Sequence, residues 1–452
     1  MRWITAITGG VILAAVIAAA ADSPQQLPYP IVDTGQTRIF SEHGQLLRAP
    51  AAGDAFYGQD EMYEGLVPAY KDDGDGTITD LNTGLMWVQA RGSKVTFTDA
   101  VAGASKCRVG GYTDWRMPTI KELYSLINFN GGFHLTVAAS TPYLDTKYFG
   151  FTYGDESRGE RAIDCQDWSA TQYIGKTMTG NATVFGVNFA DGRIKGYPRD
   201  RGPRGEMHKL YVRYVRGNSD YGRNSFHDNG DGTVSDSATG LMWSKTDGGK
   251  GMDWKTALAW VQAQNALKYG GHDDWRMPNA KELQSIVDYT RAPDVTHSPA
   301  IDPMFQTTQL GDGEYPFFWS STTHLDGPPD RMGGAAVYIA FGRATGWMQF
   351  PPDQGEYRLL DVHGAGAQRS DPKSGDPADY PHGRGPQGDV IRINNFVRLV
   401  RNIELDAVRV VKPDLTPMPV VQVGPPGGEM SGDGFGPPPD QRRRPMSGRP
   451  RR

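Results

Sequence analysis

The sequence predicts an α+β fold built twice in tandem, each copy holding two helices and several short antiparallel strands joined by long loops. Two observations carry this expectation. D-D-G-D-G-T-I-T-D-L-N-T-G-L-M-W at 72–87 returns as D-N-G-D-G-T-V-S-D-S-A-T-G-L-M-W at 228–243, and three later blocks return in the same order. Within each copy, alternating β-branched runs give way to two segments with apolar residues at helical spacing. The later blocks are G-G-Y-T-D-W-R-M-P-T-I-K-E-L (110–123) against G-G-H-D-D-W-R-M-P-N-A-K-E-L (270–283), W-S-A-T (168–171) against W-S-S-T (319–322), and Y-V-R-Y-V-R (211–216) against F-V-R-L-V-R (396–401). Copies of roughly 150–180 residues are of single-domain size. The chain therefore divides into a first domain at 71–217 and a second at 226–403, expected to fold as separate bodies around a Gly/Asn/Ser-rich joint at 217–227.

Each copy opens on Asp-x-Gly-Asp-Gly-Thr, whose glycines suit a tight hairpin turn; Thr77-Ile78-Thr79 and Thr233-Val234-Ser235 read as its strand. Thr-Gly-Leu-Met-Trp follows as a second turn and strand that carries Trp87 or Trp243 into the core. A first helix is expected from Thr96 or Asp253, each a capping residue before an Ala-containing stretch. A second starts at a capping box, Thr119-Ile-Lys-Glu122 after Pro118 and Asn279-Ala-Lys-Glu282 after Pro278. Leu123, Leu126 and Ile127, matched by Leu283, Ile286 and Val287, form its buried stripe. Ahead of that helix lie Trp115 and Trp275 with Arg116 and Arg276, whose guanidinium groups read as forks holding carbonyls or a carboxylate. Trp168, Trp319 and the arginines of the closing Val-Arg-x-Val-Arg strand repeat as well, and are assigned to the shared fold.

Residues 1–21 combine one early arginine, a short apolar run and Ala19-x-Ala21, the pattern of a secretory signal peptide. Residues 22–70 read as an extended leader. Residues 404–452 are Pro/Gly-rich and end in Arg442–Arg444, Arg449, Arg451 and Arg452, the composition of a disordered tail. No later stretch is long enough to span a membrane, and a net charge of only −5 gives no global attraction to nucleic acid.

Two cysteines, Cys107 and Cys165, both occur in the first copy. Their counterparts in the second are Leu267 and, approximately, Pro316, so the two are lost together, as one disulfide predicts in an exported protein. A metal pair or a catalytic thiol is the other reading of the same residues. The Asp-rich turns miss a calcium loop at the same two ligand positions in both copies: Lys71 and His227 at the first, Asn82 and Ala238 at the twelfth. No catalytic spacing is apparent, so the expectation is no cofactor, no metal and no enzyme. The loop at 361–389 is too rich in Gly, Pro and Asp for regular structure, though Asp361, His363, His382 and Asp389 could gather a metal.

In combination, the four blocks resemble the C-terminal domain of the Legionella collagen-like adhesins. They are also similar to the C-type-lectin-like superfamily, which includes the formylglycine-generating sulfatase modifiers. The resemblance implies a C-type-lectin-like fold and, by analogy with the adhesins, glycan binding. It also implies a cysteine between the arginines of the closing strand as partner for Cys107, but Tyr214 and Leu399 stand there, leaving Cys165 as the alternative.

The largest local excess of charge lies in the first copy, where Arg193, Lys195, Arg199, Arg201, Arg204 and Lys209 surround Tyr197. Such a loop suits sulfate or phosphate groups. The functional expectation is an exported, non-catalytic module that binds polyanionic glycans or envelope polymers. A formylglycine-generating type of enzyme and a purely structural envelope protein are the alternatives.

Overall fold

The computed structural model describes residues 27–202, 205–350 and 355–403. The expected signal peptide, the first leader residues and the tail from 404 onward lie outside the described residues.

The first copy contributes β1 (Tyr70–Asp72), β2 (Thr77–Asp80), β3 (Leu85–Val88), β4 (Gly132–His134), β5 (Thr136–Thr141), β6 (Asp167–Gln172), β7 (Thr183–Asn188), β8 (Arg193–Pro198) and β9 (Val215–Gly217). The second contributes β10 (Phe226–Asp228), β11 (Thr233–Asp236), β12 (Leu241–Ser244), β13 (Phe317–His324), β14 (Ala335–Ala340), β15 (Thr345–Phe350), β16 (Glu356–Asp361), β17 (Gln368–Pro372) and β18 (Val400–Asn402). The helices are α1 (Phe97–Ala104), α2 (Ile120–Ser125), α3 (Trp254–Ala266), α4 (Ala280–Ser285) and α5 (Pro293–Thr296). The described chain is thus mostly antiparallel β, and the α+β, C-type-lectin-like class with two helices per copy is corrected. Helices number two in one copy and three in the other, and α2 and α4 last only six residues. Their start signals act as expected, since Thr119 and Asn279 close full capping boxes with Glu122 and Glu282. The stripe beyond them, Leu126–Ile127 and Ile286–Val287, is buried outside the helices.

Each Asp-Gly hairpin builds the same four-stranded sheet, β1-β2-β3-β9 and β10-β11-β12-β18. The turns need glycine, because Gly76 and Gly232 hold φ of +88° and +91°. Trp87 sits opposite Ile78 and Val215, and Trp243 opposite Val234 and Val400, in matching registers.

The expectation of two separate bodies fails at the third block. A six-stranded antiparallel sheet runs β13-β14-β17-β8-β7-β6, so strands of both copies share it. The seam is the pair Gln368↔Ile194, reinforced by the Ile194 N–H donating to Gln368 Oε1 at 3.3 Å. Strand β17 arises inside the loop expected to lack regular structure, and its buried Gln368, Arg369 and Asp371 explain how so polar a segment can be a strand. The main core cluster draws on both copies, with Ile120, Leu123 and Ile194 of the first beside Leu283, Ile286 and Val337 of the second.

Two lysines from the repeated K-E-L segment cross the seam reciprocally. Lys121 Nζ donates to the Ser285 carbonyl at 2.7 Å, and Lys281 Nζ donates to the Ser125 carbonyl at 2.9 Å. Lys281 also holds the Asp33 carbonyl of the leader at 2.7 Å. Far from trailing free, the described part of the leader is wedged between the copies. Thr34 O accepts from Phe129 N of the first copy, and Gln36 exchanges two 2.8 Å hydrogen bonds with Thr323 of the second. Tyr29, Val32 and Phe40 are buried.

Two buried acids mark these seams. The Asp60 carboxylate of the leader accepts from Thr322 Oγ1 at 2.5 Å and Thr34 Oγ1 at 2.8 Å. The Asp361 carboxylate of the second copy accepts from the Tyr173 hydroxyl of the first at 2.8 Å. Burial pushes both carboxyls up to about 7, with the nearby Asp33 charge adding to the effect at Asp60.

Two outcomes are expected. Lys281→Met leaves the buried carbonyls of Asp33 and Ser125 without this donor, which should cost about 2 kcal/mol. A lower unfolding midpoint and faster proteolysis within 27–66 would show it, and an unchanged midpoint would count against the clasp. The second concerns pH. Between the ordinary carboxylate range and about 7, folded Asp60 and Asp361 keep protons that the unfolded chain has released. Their contribution is therefore complete below pH ~4 and lost as pH rises through about 7. Thermal unfolding from pH 5 to 8 should show a declining midpoint, and a double Asp60→Asn, Asp361→Asn variant should flatten that slope.

Candidate functional site

The basic run does not form one surface. Arg193 and Lys195 lie on β8 and are buried at 4% and 6% exposure. Arg193 Nη1 bonds Asp191 at 3.0 Å and Asp326 of the second copy at 2.9 Å, and Lys195 bonds Asp191 at 3.2 Å. Two of the expected ligand-binding cations thus hold the shared sheet together instead. Tyr197 is half-buried in a cluster around Trp168 and Val184. Beyond the strand, Arg201 and Lys209 are exposed and Arg199 is partly exposed, with Lys176 near Asp200. Arg199 pairs with its neighbour Asp200 at 3.0 Å, and Arg201 donates to the Gly205 carbonyl at 2.6 Å. Arg204 lies outside the described residues.

The disulfide is also corrected, because Cys107 and Cys165 are both free. Cys165 is fully buried in the core, where burial pushes its thiol up to about 12, while Cys107 follows α1 on a partly exposed turn. A thiol that holds its proton this firmly supplies almost no thiolate at neutral pH.

The other candidates resolve into structural work. Arg116 clamps Glu122 through two bonds of 2.5 and 2.7 Å, and Arg276 reaches Glu282 at 2.5 Å. Indole N–H groups of Trp115, Trp168, Trp275 and Trp319 donate to the carbonyls of Val109, Val95, Tyr269 and Met252. Trp87 and Trp243 are fully buried. Asp75 and Asp231 accept from the amide and hydroxyl of Thr77 and Thr233, folding the Asp-Gly turns back on themselves. The acidic and histidine residues of 361–389 part company. His363 and Arg369 bind Asp389, Asp361 faces Tyr173, and His382 stacks on Tyr357 at 3.6 Å. Among the described residues no group of three or more His, Cys, Asp or Glu side chains is placed to hold a metal ion.

A cavity opens at a place that no single motif of the sequence marks. About 590 Å³ opens between α2, the joint and the second copy, lined by Arg116, Lys121, Thr171, Tyr221, Arg223 and Tyr289 among others. That volume is in the range of ligand clefts. Its lining comes from a capping-box helix, a linker and a turn, which no single stretch of sequence brings together. The corresponding place in the second copy, at Arg276, Asn279, Glu282 and Ser321, retains only about 20 Å³ because leader residues Asp33, Asp60, Tyr63, Glu64 and Gly65 occupy it.

No helix among the described residues is long and apolar enough to cross a membrane. No curated protein and no solved structure matches the chain significantly. Residues 76–216 and 232–360 each match the Lcl C-terminal domain, which covers most of both repeats, and the chain belongs to the Lcl C-terminal domain family as a tandem pair.

Proposed function

We propose that the chain is an exported, non-catalytic adhesion module whose exposed cationic ridge binds sulfated or otherwise polyanionic glycans of the envelope or surrounding matrix. Membership of the Lcl C-terminal family and the resemblance to the Legionella collagen-like adhesins support adhesion. The leading structural observation is the sorting of charge along β8 and the loop after it. Arg193 and Lys195 are spent on internal carboxylates, whereas Arg199, Arg201 and Lys209 project outward with Lys176 nearby. The pair between Arg199 and Asp200 is exposed, and such pairs contribute little, so a polyanion can exchange for it at small cost. The formylglycine-generating reading draws less support, since it needs a pair of accessible, ionisable thiols and Cys165, one of the two cysteines, is neither.

The test is retention on heparin. A triple Arg199→Ser, Arg201→Ser, Lys209→Ser variant should elute at lower salt with a shallower salt dependence, because exposed charge contacts are screened within ~10 Å at 0.1 M salt. Its stability should shift by no more than about 0.5 kcal/mol per substitution. Elution identical to the parent chain would reject the ridge as the glycan site.

A further inference from the structure

The two repeats build equivalent clefts, and among the described residues only one is filled. In the second copy, the hydroxyl of Thr322 accepts the Ala280 N–H at 2.9 Å and donates its own proton to the Asp60 carboxylate at 2.5 Å. Three residues further along the leader, the Tyr63 ring lies against Arg276, whose guanidinium carbon is 5.9 Å from the ring centre. Asp60 and Tyr63 thereby place a single-turn Asp-x-x-Tyr segment, a 3-10 helix over Asp60–Met62 closed by the Tyr63 N–H on the Asp60 carbonyl, over the capping box of α4.

The first copy repeats the receiving half of this arrangement. The Thr171 hydroxyl accepts the Ile120 N–H at 2.9 Å, matching Thr322 and Ala280. With that lone pair engaged, its proton is available for an acceptor, and among the described residues it has none. Arg116 is held by Glu122 as Arg276 is by Glu282, yet its side chain is 35% exposed against 12% for Arg276, and among the described residues no ring lies over it as Tyr63 lies over Arg276. The Lys121 ammonium is already taken by Ser285, Asn224 and Gly222, just as Lys281 is by Ser125 and Asp33. What the first cleft lacks is the strap itself. The lining acids and bases are balanced, with Glu122, Asp288 and Asp302 against Arg116, Lys121 and Arg223, so the cleft suits a hydrogen-bonded carboxyl more than a dense polyanion.

We propose that the open cleft of the first copy is a docking site for a single-turn acidic peptide segment of a partner protein, bound as the leader is bound in the second copy. The segment sets an aspartate carboxyl on the Thr171 hydroxyl and an aromatic ring, three residues later, against Arg116. The occupant is peptide because the chain's own solution to the equivalent cleft is peptide: leader residues line the second cleft, where about 20 Å³ stays open, against about 590 Å³ in the first. This site is independent of the cationic ridge.

The probe is a dye-labelled peptide of residues 57–66, Y-G-Q-D-E-M-Y-E-G-L, titrated into the intact chain and followed by fluorescence anisotropy. Saturable binding is expected, weakened about tenfold or more by Thr171→Val and retained by Thr171→Ser, which keeps the hydroxyl. A peptide with alanine in place of its aspartate should lose about the same factor, asking the question without altering the protein. The triple ridge variant should bind the peptide as the parent does, which separates this site from the glycan reading. Absence of saturation up to about 1 mM peptide would overturn the proposal. So would a Thr171→Val chain that binds unchanged, since the peptide would then be displacing the leader from the second cleft. If an acidic oligosaccharide binds in a Thr171-dependent way and the peptide does not, the cleft belongs to a glycan and the peptide assignment falls.

Discussion

The reciprocal reach of Lys121 and Lys281 across the seam is the constraint around which the rest of the molecule is arranged. Each lysine sits beside the glutamate that closes its helix's capping box, so one turn of helix does two jobs. The glutamate caps its own helix and pairs with its own copy's arginine, while the lysine donates to a carbonyl of the other copy. Burial pulls both ammonium groups down to about 8, a sign that placing them there is costly. An isolated charge in that environment would be strongly disfavoured, but several carbonyl acceptors at hydrogen-bond distance compensate. Because both helices last only six residues, they cannot shift along one another without losing the cap and the cross-seam bond together. That fixes the relative setting of the copies, and from it the Arg193–Asp326 ion pair and the β17–β8 seam follow.

A perfect twofold repeat would leave two equal clefts beside the clasp. The leader breaks that symmetry. Its Asp33 carbonyl takes the second position on Lys281, while joint residues Gly222 and Asn224 take the corresponding positions on Lys121. The joint passes the first cleft without filling it, whereas leader residues 60–65 lie across the second. Asymmetry therefore comes from the connecting segments, not from the repeated ones. A tandem protein can in this way keep one copy for support and leave the other accessible without changing any residue of the shared motif.

The sequence made the local grammar readable and left the global arrangement hidden, for identifiable reasons. Hairpin turns at Asp-Gly and helix starts at Thr119 and Asn279 depend on residues within four positions of one another, so a single stretch declares them. Fold class was misjudged because a capping box announces where a helix starts but not where it ends, and α2 and α4 stop after six residues. Strand β17 was missed because Gln368, Arg369 and Asp371 look solvated in sequence. They are buried by partners far along the chain, such as Asp389 for Arg369 and Asn395 for Asp371. The leader was equally opaque. Its contacts span more than 200 residues, as between Asp60 and Thr322, and no local periodicity records such a bond.

The basic run shows how a one-dimensional count of charge can mislead, and which signal would have corrected it. Arg193, Lys195 and Tyr197 recur at every second position, the spacing that puts side chains on one face of a strand. Ile194 between them belongs to the main core, so the face bearing Arg193 and Lys195 packs against Asp191 and Asp326 within a sheet that continues into the second copy. From Arg199 onward the alternation ends, and with it the burial. Reading period before charge divides the five described cations into an internal pair and an external group. The internal pair answers to the seam, and only the external group remains available to a ligand. The first arginine of each closing block is a poor ligand candidate for a simpler reason. Arg213 and Arg398 lie just ahead of the closing strands β9 and β18 and are fully enclosed, with Arg213 donating to the carbonyls of Val88, Gln89 and Gly150 and Arg398 to those of Ser244, Lys245 and Gln306. Recurrence alone does not sort scaffold from surface: Arg213 and Arg398 recur and are enclosed, whereas Arg116 recurs and its side chain stays 35% exposed beside the open cleft.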